Sequence, residues 1–286
     1  MLPTADRLGC VCRDPSASHG CSPRMPELPE VEYAAGRLRA AVLGHTVARV
    51  ETLHASQRRA LPPTACRAVR GLRIDRIERR AKVQLLYLDN GAVLEVHFRM
   101  TGDWEFTGLD EPAPRHERVR VETREGTRVS LVDSRAFSVV RLHAPGTFTG
   151  IDAGPEPLSE AFTASGLYAA LASRRGPIKS VLLDQKLVAG VGNIYASEAC
   201  WEARIHPHTP AHSLSAARVT RLRDAIRLVL ETAPTGRYWA QEGVSEDAIW
   251  RVYGRDGAPC RRCGSRIART VQGGRSTFHC GRCQRH

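Results

Sequence analysis

A proline followed at once by a glutamate, Pro26-Glu27, sits in the stretch Met25-Pro26-Glu27-Leu28-Pro29-Glu30-Val31-Glu32. Inside a chain the proline nitrogen is a tertiary amide without a proton, its lone pair delocalised into the carbonyl. As a free terminus it is a secondary amine whose lone pair can attack a sugar carbon. This start-like segment is preceded by 24 residues, so chemistry at Pro26 turns on where the functional chain begins. Glu30 favours the positive end of a following helix.

A second group of residues points to a metal. Cys260-x2-Cys263 is followed, after 16 intervening residues, by Cys280-x2-Cys283. Two tight turns can present four sulfurs tetrahedrally, and this spacing suits a four-thiolate zinc site. A module of about 30 residues is too small to hold a core without such a staple. The alternative, a pair of disulfides, conflicts with a cytoplasmic chain. One zinc ion is therefore expected, and it is structural, because four thiolates leave no open position. Between the pairs, Gly273-Gly274 predicts a hairpin with Arg275 close to its tip, within reach of a phosphate. Cys10, Cys12, His19 and Cys21 follow no ligand spacing, and residues 1–24 read as an unstructured leader or a non-native extension.

Composition sets the class. With 286 residues, 42% hydrophobic and 25% charged, the chain can build two compact domains and an appended module. Neither a secretory signal nor an apolar run long enough for a membrane span is visible, so a cytoplasmic location is expected. A net charge of +12 favours a polyanionic partner. However, only Lys82, Lys179 and Lys186 are lysines; an arginine-dominated, alanine-rich chain reflects GC-rich coding as readily as phosphate binding. Charge alone does not decide.

These groups need positioning elements. Val31, Ala34, Leu38, Ala41 and Val42 recur at helical spacing over 29–43, with Gly44 as the stop. Short β-like segments follow at 46–53, 74–77, 83–88, 92–98, 118–122 and 128–132, with turns at Asn90-Gly91 and Gly126. The fold class is thus α+β: an antiparallel β-sandwich with a leading helix over 25–148. Gly154-Pro155-Glu156-Pro157 lies in a linker over 149–157. A helical domain over 158–251 has helices at 159–173, 178–184, 194–203 and 215–233, and the cysteine module occupies 252–286.

Three separated segments carry a resemblance. Met25 to Glu32, the run Gly190-Val191-Gly192-Asn193-Ile194-Tyr195-Ala196-Ser197-Glu198, and Val252-Tyr253-Gly254-Arg255 leading into the cysteines resemble formamidopyrimidine-DNA glycosylases, relatives of endonuclease VIII. Gly154 to Leu158 and Arg79 to Lys82 fit as well. The resemblance implies a helix-two-turn-helix domain beside the sandwich, a DNA cleft between them, and a zinc hairpin gripping damaged double-stranded DNA. It implies a bifunctional glycosylase and abasic-site lyase acting as a monomer on oxidised bases. Pro26 would be the nucleophile, Glu27 the acid–base carboxylate and Lys82 a phosphate-binding partner at the lesion, with Glu30 and Glu198 in support. His97, Lys179, Asn193 and Arg275 would contact DNA, Asn193 also serving as a helix N-cap. Met100, Arg135 and Phe137 would fill the space left by an extruded base; from residue type alone, Met100 and Phe137 read as core.

The chain departs from that pattern at four places. Arg99 stands where glycine is usual, Ser134 where proline is usual and Ala136 where a second arginine is usual. The segment from Pro234 to Arg251 is about a dozen residues shorter than such proteins carry, which points toward ring-opened purines or oxidised pyrimidines over 8-oxoguanine. A catalytically silent DNA-damage-binding protein of the same fold is the alternative; covalent trapping at Pro26 separates the two.

Overall fold

The computed structural model describes residues 25–234, 236 and 249–286. The cysteines and histidine of the first 24 residues, and most of the shortened segment before Val252, lie outside the described residues. Among the described residues no helix is long and apolar enough to cross a membrane.

Helix α1 (Leu28–Val42) begins two residues after Pro26. Pro29 suits its first turn, where a backbone N–H has no helical partner. A capping box closes that end: the Glu30 side chain accepts the Glu27 backbone N–H at 2.9 Å. Val31, Ala34, Leu38 and Val42 face inward. Eight strands follow, β1 (Val47–Thr52), β2 (Ile74–Arg80), β3 (Val83–Leu88), β4 (Val93–His97), β5 (Asp103–Gly108), β6 (Glu117–Thr123), β7 (Thr127–Val132) and β8 (Val139–His143), with short helices α2 (Ala55–Arg58) and α3 (Pro63–Ala68) after β1.

The strands form two four-stranded antiparallel sheets, ordered β1-β6-β7-β5 and β2-β3-β4-β8. Val50, Leu131 and Trp104 from one sheet and Ile77, Leu94 and Val140 from the other share one core with Leu38 of α1. The expected sandwich is present, but it includes two strands that patterning missed. β5 is acidic at Asp103 and Glu105 and ends in glycine, and it pairs with the distant β7. β8 is short, and β4 supplies its register.

In the helical domain α4 (Ala164–Leu171), α5 (Ile178–Val181), α6 (Asn193–Glu202) and α7 (Ala216–Glu231) pack around one core. The first expected helix starts later, where the Thr163 side chain accepts the Gly166 N–H at 3.0 Å. Every residue from Ile194 to Trp201 is buried, so α6 is the central post of the domain. The module at the end is a hairpin of β9 (Ala268–Gln272) and β10 (Arg275–His279), turned by Gly273 and Gly274 at φ of 53° and 73°. Glu198 ties this module to α6: its carboxylate accepts backbone N–H groups from Arg251 (2.8 Å), Val252 (2.9 Å) and Tyr253 (2.8 Å).

Candidate active site and metal centre

The N-terminus of α6 is a cluster of unpaired N–H groups with a positive dipole end. The Glu27 carboxylate fills it. One oxygen accepts the Ile194 N–H at 2.8 Å, and the other accepts Gly192 at 2.7 Å and Tyr195 at 3.3 Å. The helix end thus holds a protein carboxylate. The N-cap is Gly192 rather than Asn193, which is the first helical residue. The reason is steric. A Cβ on Gly192 would lie 2.4 Å from the Glu27 carboxyl carbon and 2.7 Å from the Lys82 ammonium nitrogen. Gly190, at φ 77°, gives way in the same manner to Leu28.

Burial dominates the electrostatics. Glu27 is 2% exposed, and burial lifts its pKa to about 7 against the opposing pull of Lys82 and the helix amides, with Glu30 adding to the rise. Burial likewise raises Glu30, whose second oxygen accepts the Tyr195 hydroxyl at 2.8 Å. It lowers Lys82, against the attraction of the two glutamates. Glu27, Lys82, Met100, Asn193, Tyr253 and Arg275 line a cavity of about 460 Å³, with Met25 at its edge. Pro26 is buried next to them.

The predicted DNA contacts separate into two kinds. Arg275 is exposed at the start of β10 and faces the cavity. Lys179 is fully buried. Its ammonium donates to Asn193 Oδ1, to Thr277 Oγ1 at 2.9 Å and to the Ser276 carbonyl at 3.4 Å. Asn193 Nδ2 donates to that same carbonyl at 3.0 Å. This pair braces the hairpin against α6, and burial pulls the Lys179 pKa down to about 8. His97 Nδ1 accepts the Arg99 N–H at 2.9 Å. Burial, with Arg99 and Lys82 nearby, lowers its pKa to about 4, so at neutral pH its Nε2–H is a donor and the ring carries no charge.

Two loops bring the space-filling candidates together. Asp133 accepts the Thr101 hydroxyl, the Arg135 N–H at 3.1 Å and the Ser138 N–H at 2.7 Å. Although burial opposes them, these bonds hold its carboxyl below the usual range. Phe137 is 50% exposed, with the Arg135 guanidinium 4.8 Å from its ring centroid. Met100 reaches the cavity. Residue type alone placed both Met100 and Phe137 in the core, and neither is there. Arg99 and Ala136 have φ of 57° and 56°, the left-handed region natural to glycine. Tyr195, Ser276 and Thr277 were missed as site-building residues: their partners lie far away in sequence, and only the Gly190 to Glu198 run hinted at Tyr195.

The four cysteine sulfurs lie within 4.8 Å of one another, with Cys260 to Cys283 at 3.9 Å and Cys263 to Cys280 at 3.5 Å. Sulfurs on a tetrahedral zinc at about 2.3 Å stand about 3.8 Å apart. Backbone N–H groups of Arg262 and Cys283 and the Trp201 indole donate to sulfur at 3.4–3.5 Å, a shell suited to thiolates. The residues fit one structural zinc.

A β-sandwich, a helix-two-turn-helix unit and a cysteine finger around one buried glutamate define a class, and comparison with known proteins gives the same division. The formamidopyrimidine-DNA glycosylase N-terminal domain matches residues 25–140, the H2TH domain of those proteins matches 153–238, and the zinc finger found in FPG and IleRS matches 257–285. The chain belongs to the formamidopyrimidine-DNA glycosylase family. Members from Roseiflexus sp. and Rhizorhabdus wittichii are 39% and 40% identical, each matched over its whole length by 91% of this chain. The MutM (FPG) protein of Thermus thermophilus superposes with a TM-score of 0.77 at 37% identity, 91% of this chain covering 98% of that one. A MutM bound to DNA containing carbocyclic 8-oxo-G gives 0.82 at 29%, with 91% of this chain covering all of the other.

Proposed function

We propose that this protein excises oxidised bases from duplex DNA and cleaves the strand at the resulting abasic site, with Pro26 as nucleophile. Pro26 carries a free amine only once Met25 and what precedes it are removed. The Pro26 amine attacks C1′, and the C1′–base bond breaks with its electron pair going to the base, which takes up a proton. Loss of the amine proton and opening of the C1′–O4′ bond leave an iminium at C1′ and a hydroxyl at O4′. Removal of a C2′ proton then expels the 3′ phosphate. Glu27 shuttles the protons, because a carboxyl with a pKa of about 7 both gives and takes a proton near neutrality.

The burial of Glu27 beside Pro26, facing the cavity lined by Lys82 and Arg275, carries this reading. Support comes from the relatives, named formamidopyrimidine-DNA glycosylases, and from neighbours solved with an abasic site and with Fapy-dG in DNA. The zinc hairpin presents Arg275, and Met100, Arg135 and Phe137 fill the vacated stack. The protein acts as a monomer in the cytoplasm. Borohydride reduction on abasic-site DNA tests the reading. Protein starting at Pro26 should form a covalent adduct that Pro26→Gly loses or slows; chain verified by mass to retain residues 1–24 should bind without an adduct. An adduct on that intact chain would overturn the role of Pro26.

A further inference from the structure

At the other end of α6 lies a second cavity of about 660 Å³. The first cavity takes in Asn193 at the helix start, and this one takes in Arg204 just past its end. The ten-residue helix sets them about 15 Å apart. Arg204, Arg218 and Arg221 of the helical domain and Arg262, Arg282 and Arg285 of the finger form the walls. The backbone there is fixed. The Arg285 N–H donates to the Arg204 carbonyl at 3.2 Å, and the Arg285 carbonyl accepts the His206 N–H and the Arg218 guanidinium, each at 2.9 Å.

Six guanidinium groups around one cavity repel one another unless anions compensate them. Arg262 has a carboxylate partner, Glu202 at 3.5 Å. A zinc tetrathiolate, with Cys263 and Cys283 on the wall, supplies two negative charges. Glu202 offsets one guanidinium and the thiolates two more, and His286 also lines the wall, so positive charge remains in excess. Burial chiefly, with the neighbouring Arg221 adding to it, pulls the Arg218 pKa down. The planar fork of arginine matches phosphate oxygens. A concavity of this volume suits a small ligand rather than the convex backbone of a duplex.

We propose that this cavity binds a condensed phosphate chain, independently of DNA in the lesion cleft. The probe is inorganic triphosphate, titrated calorimetrically into zinc-loaded full-length protein already saturated with duplex carrying a stable abasic-site analogue. One site should appear. Arg221 and Arg282 are exposed and form no ion pair or hydrogen bond among the described residues, so Arg221→Gln with Arg282→Gln should keep the melting temperature and zinc content while weakening binding at least about tenfold. A nucleoside triphosphate binding more tightly than inorganic triphosphate assigns the nucleotide as the source; equal binding assigns the free chain. No binding to the DNA-saturated protein, or unchanged affinity in the double variant, would overturn the proposal.

Discussion

The Glu27 carboxylate accepts the Gly192 backbone N–H at 2.7 Å across 165 residues of chain. One contact thus joins the residue after Pro26 to the helix-two-turn-helix domain, at the wall of the cavity. It also makes the buried carboxylate of the sandwich and the N-terminus of α6 a single structural unit.

Gly192 should be intolerant of even one carbon. Its φ of −134° suits any residue, so Gly192→Ala adds no backbone strain, but its Cβ would meet the Glu27 carboxyl carbon at 2.4 Å. Displacing that group by about 1 Å should slow single-turnover base excision by about 100-fold. Excision within threefold of the parent would show that Glu27 has room to move.

Glu27 also makes stability depend on pH in an unusual direction. Its pKa is about 7 when folded against 4.5 for the unperturbed group, so folding takes up a proton. Its contribution is therefore most favourable below about pH 4.5 and is lost as pH rises toward 7. Between pH 5 and 8, the melting temperature of the parent should fall more than that of Glu27→Gln. Parallel profiles for the two would contradict the raised pKa.

Phe137 is half exposed, so Phe137→Ala should change stability by no more than about 0.5 kcal/mol. If the ring fills the gap left by an extruded base, excision from duplex should drop about tenfold or more, since stacking contributes about 1–3 kcal/mol. Cleavage of an abasic site in single-stranded DNA should change little. Equal losses on both substrates would move Phe137 out of that role.

Removing zinc should act through Lys179. The hairpin that the metal staples supplies Thr277 and Ser276 to the buried ammonium. A chelator, or Cys260→Ser, should release the hairpin, expose Lys179 and abolish duplex binding, while far-UV dichroism retains the sandwich and helices. Duplex affinity that survives complete loss of metal would count against the hairpin as a DNA clamp.

The legible parts of the fold share a local cause. The stripe of α1 and the Asn90-Gly91 turn are written in neighbouring residues, and so is the cysteine spacing. β5 and β8 escaped because Asp103, Glu105 and Gly108 are residue types depleted in strands, although they alternate with Trp104 and Phe106, and because β8 has its register from β4. The site divides along the same line. The four cysteines announce a zinc site by type and spacing, and Pro26 and Glu27 stand out as a start-like pair. Asn193 misled as an N-cap, because the helix end was already taken by a carboxylate from another domain.

By itself the sequence determined which reactive groups the chain offers: an amine-capable proline, an adjacent carboxylate, a lysine and four thiols. Covalent adjacency and short spacings fix those possibilities before folding. Only the tertiary structure decided their state. The protonation of Glu27, the neutrality of His97, the burial of Lys179 and the exposure of Phe137 depend on desolvation and on partners tens to more than a hundred residues away. Those are properties of packing in three dimensions, and no local pattern encodes them.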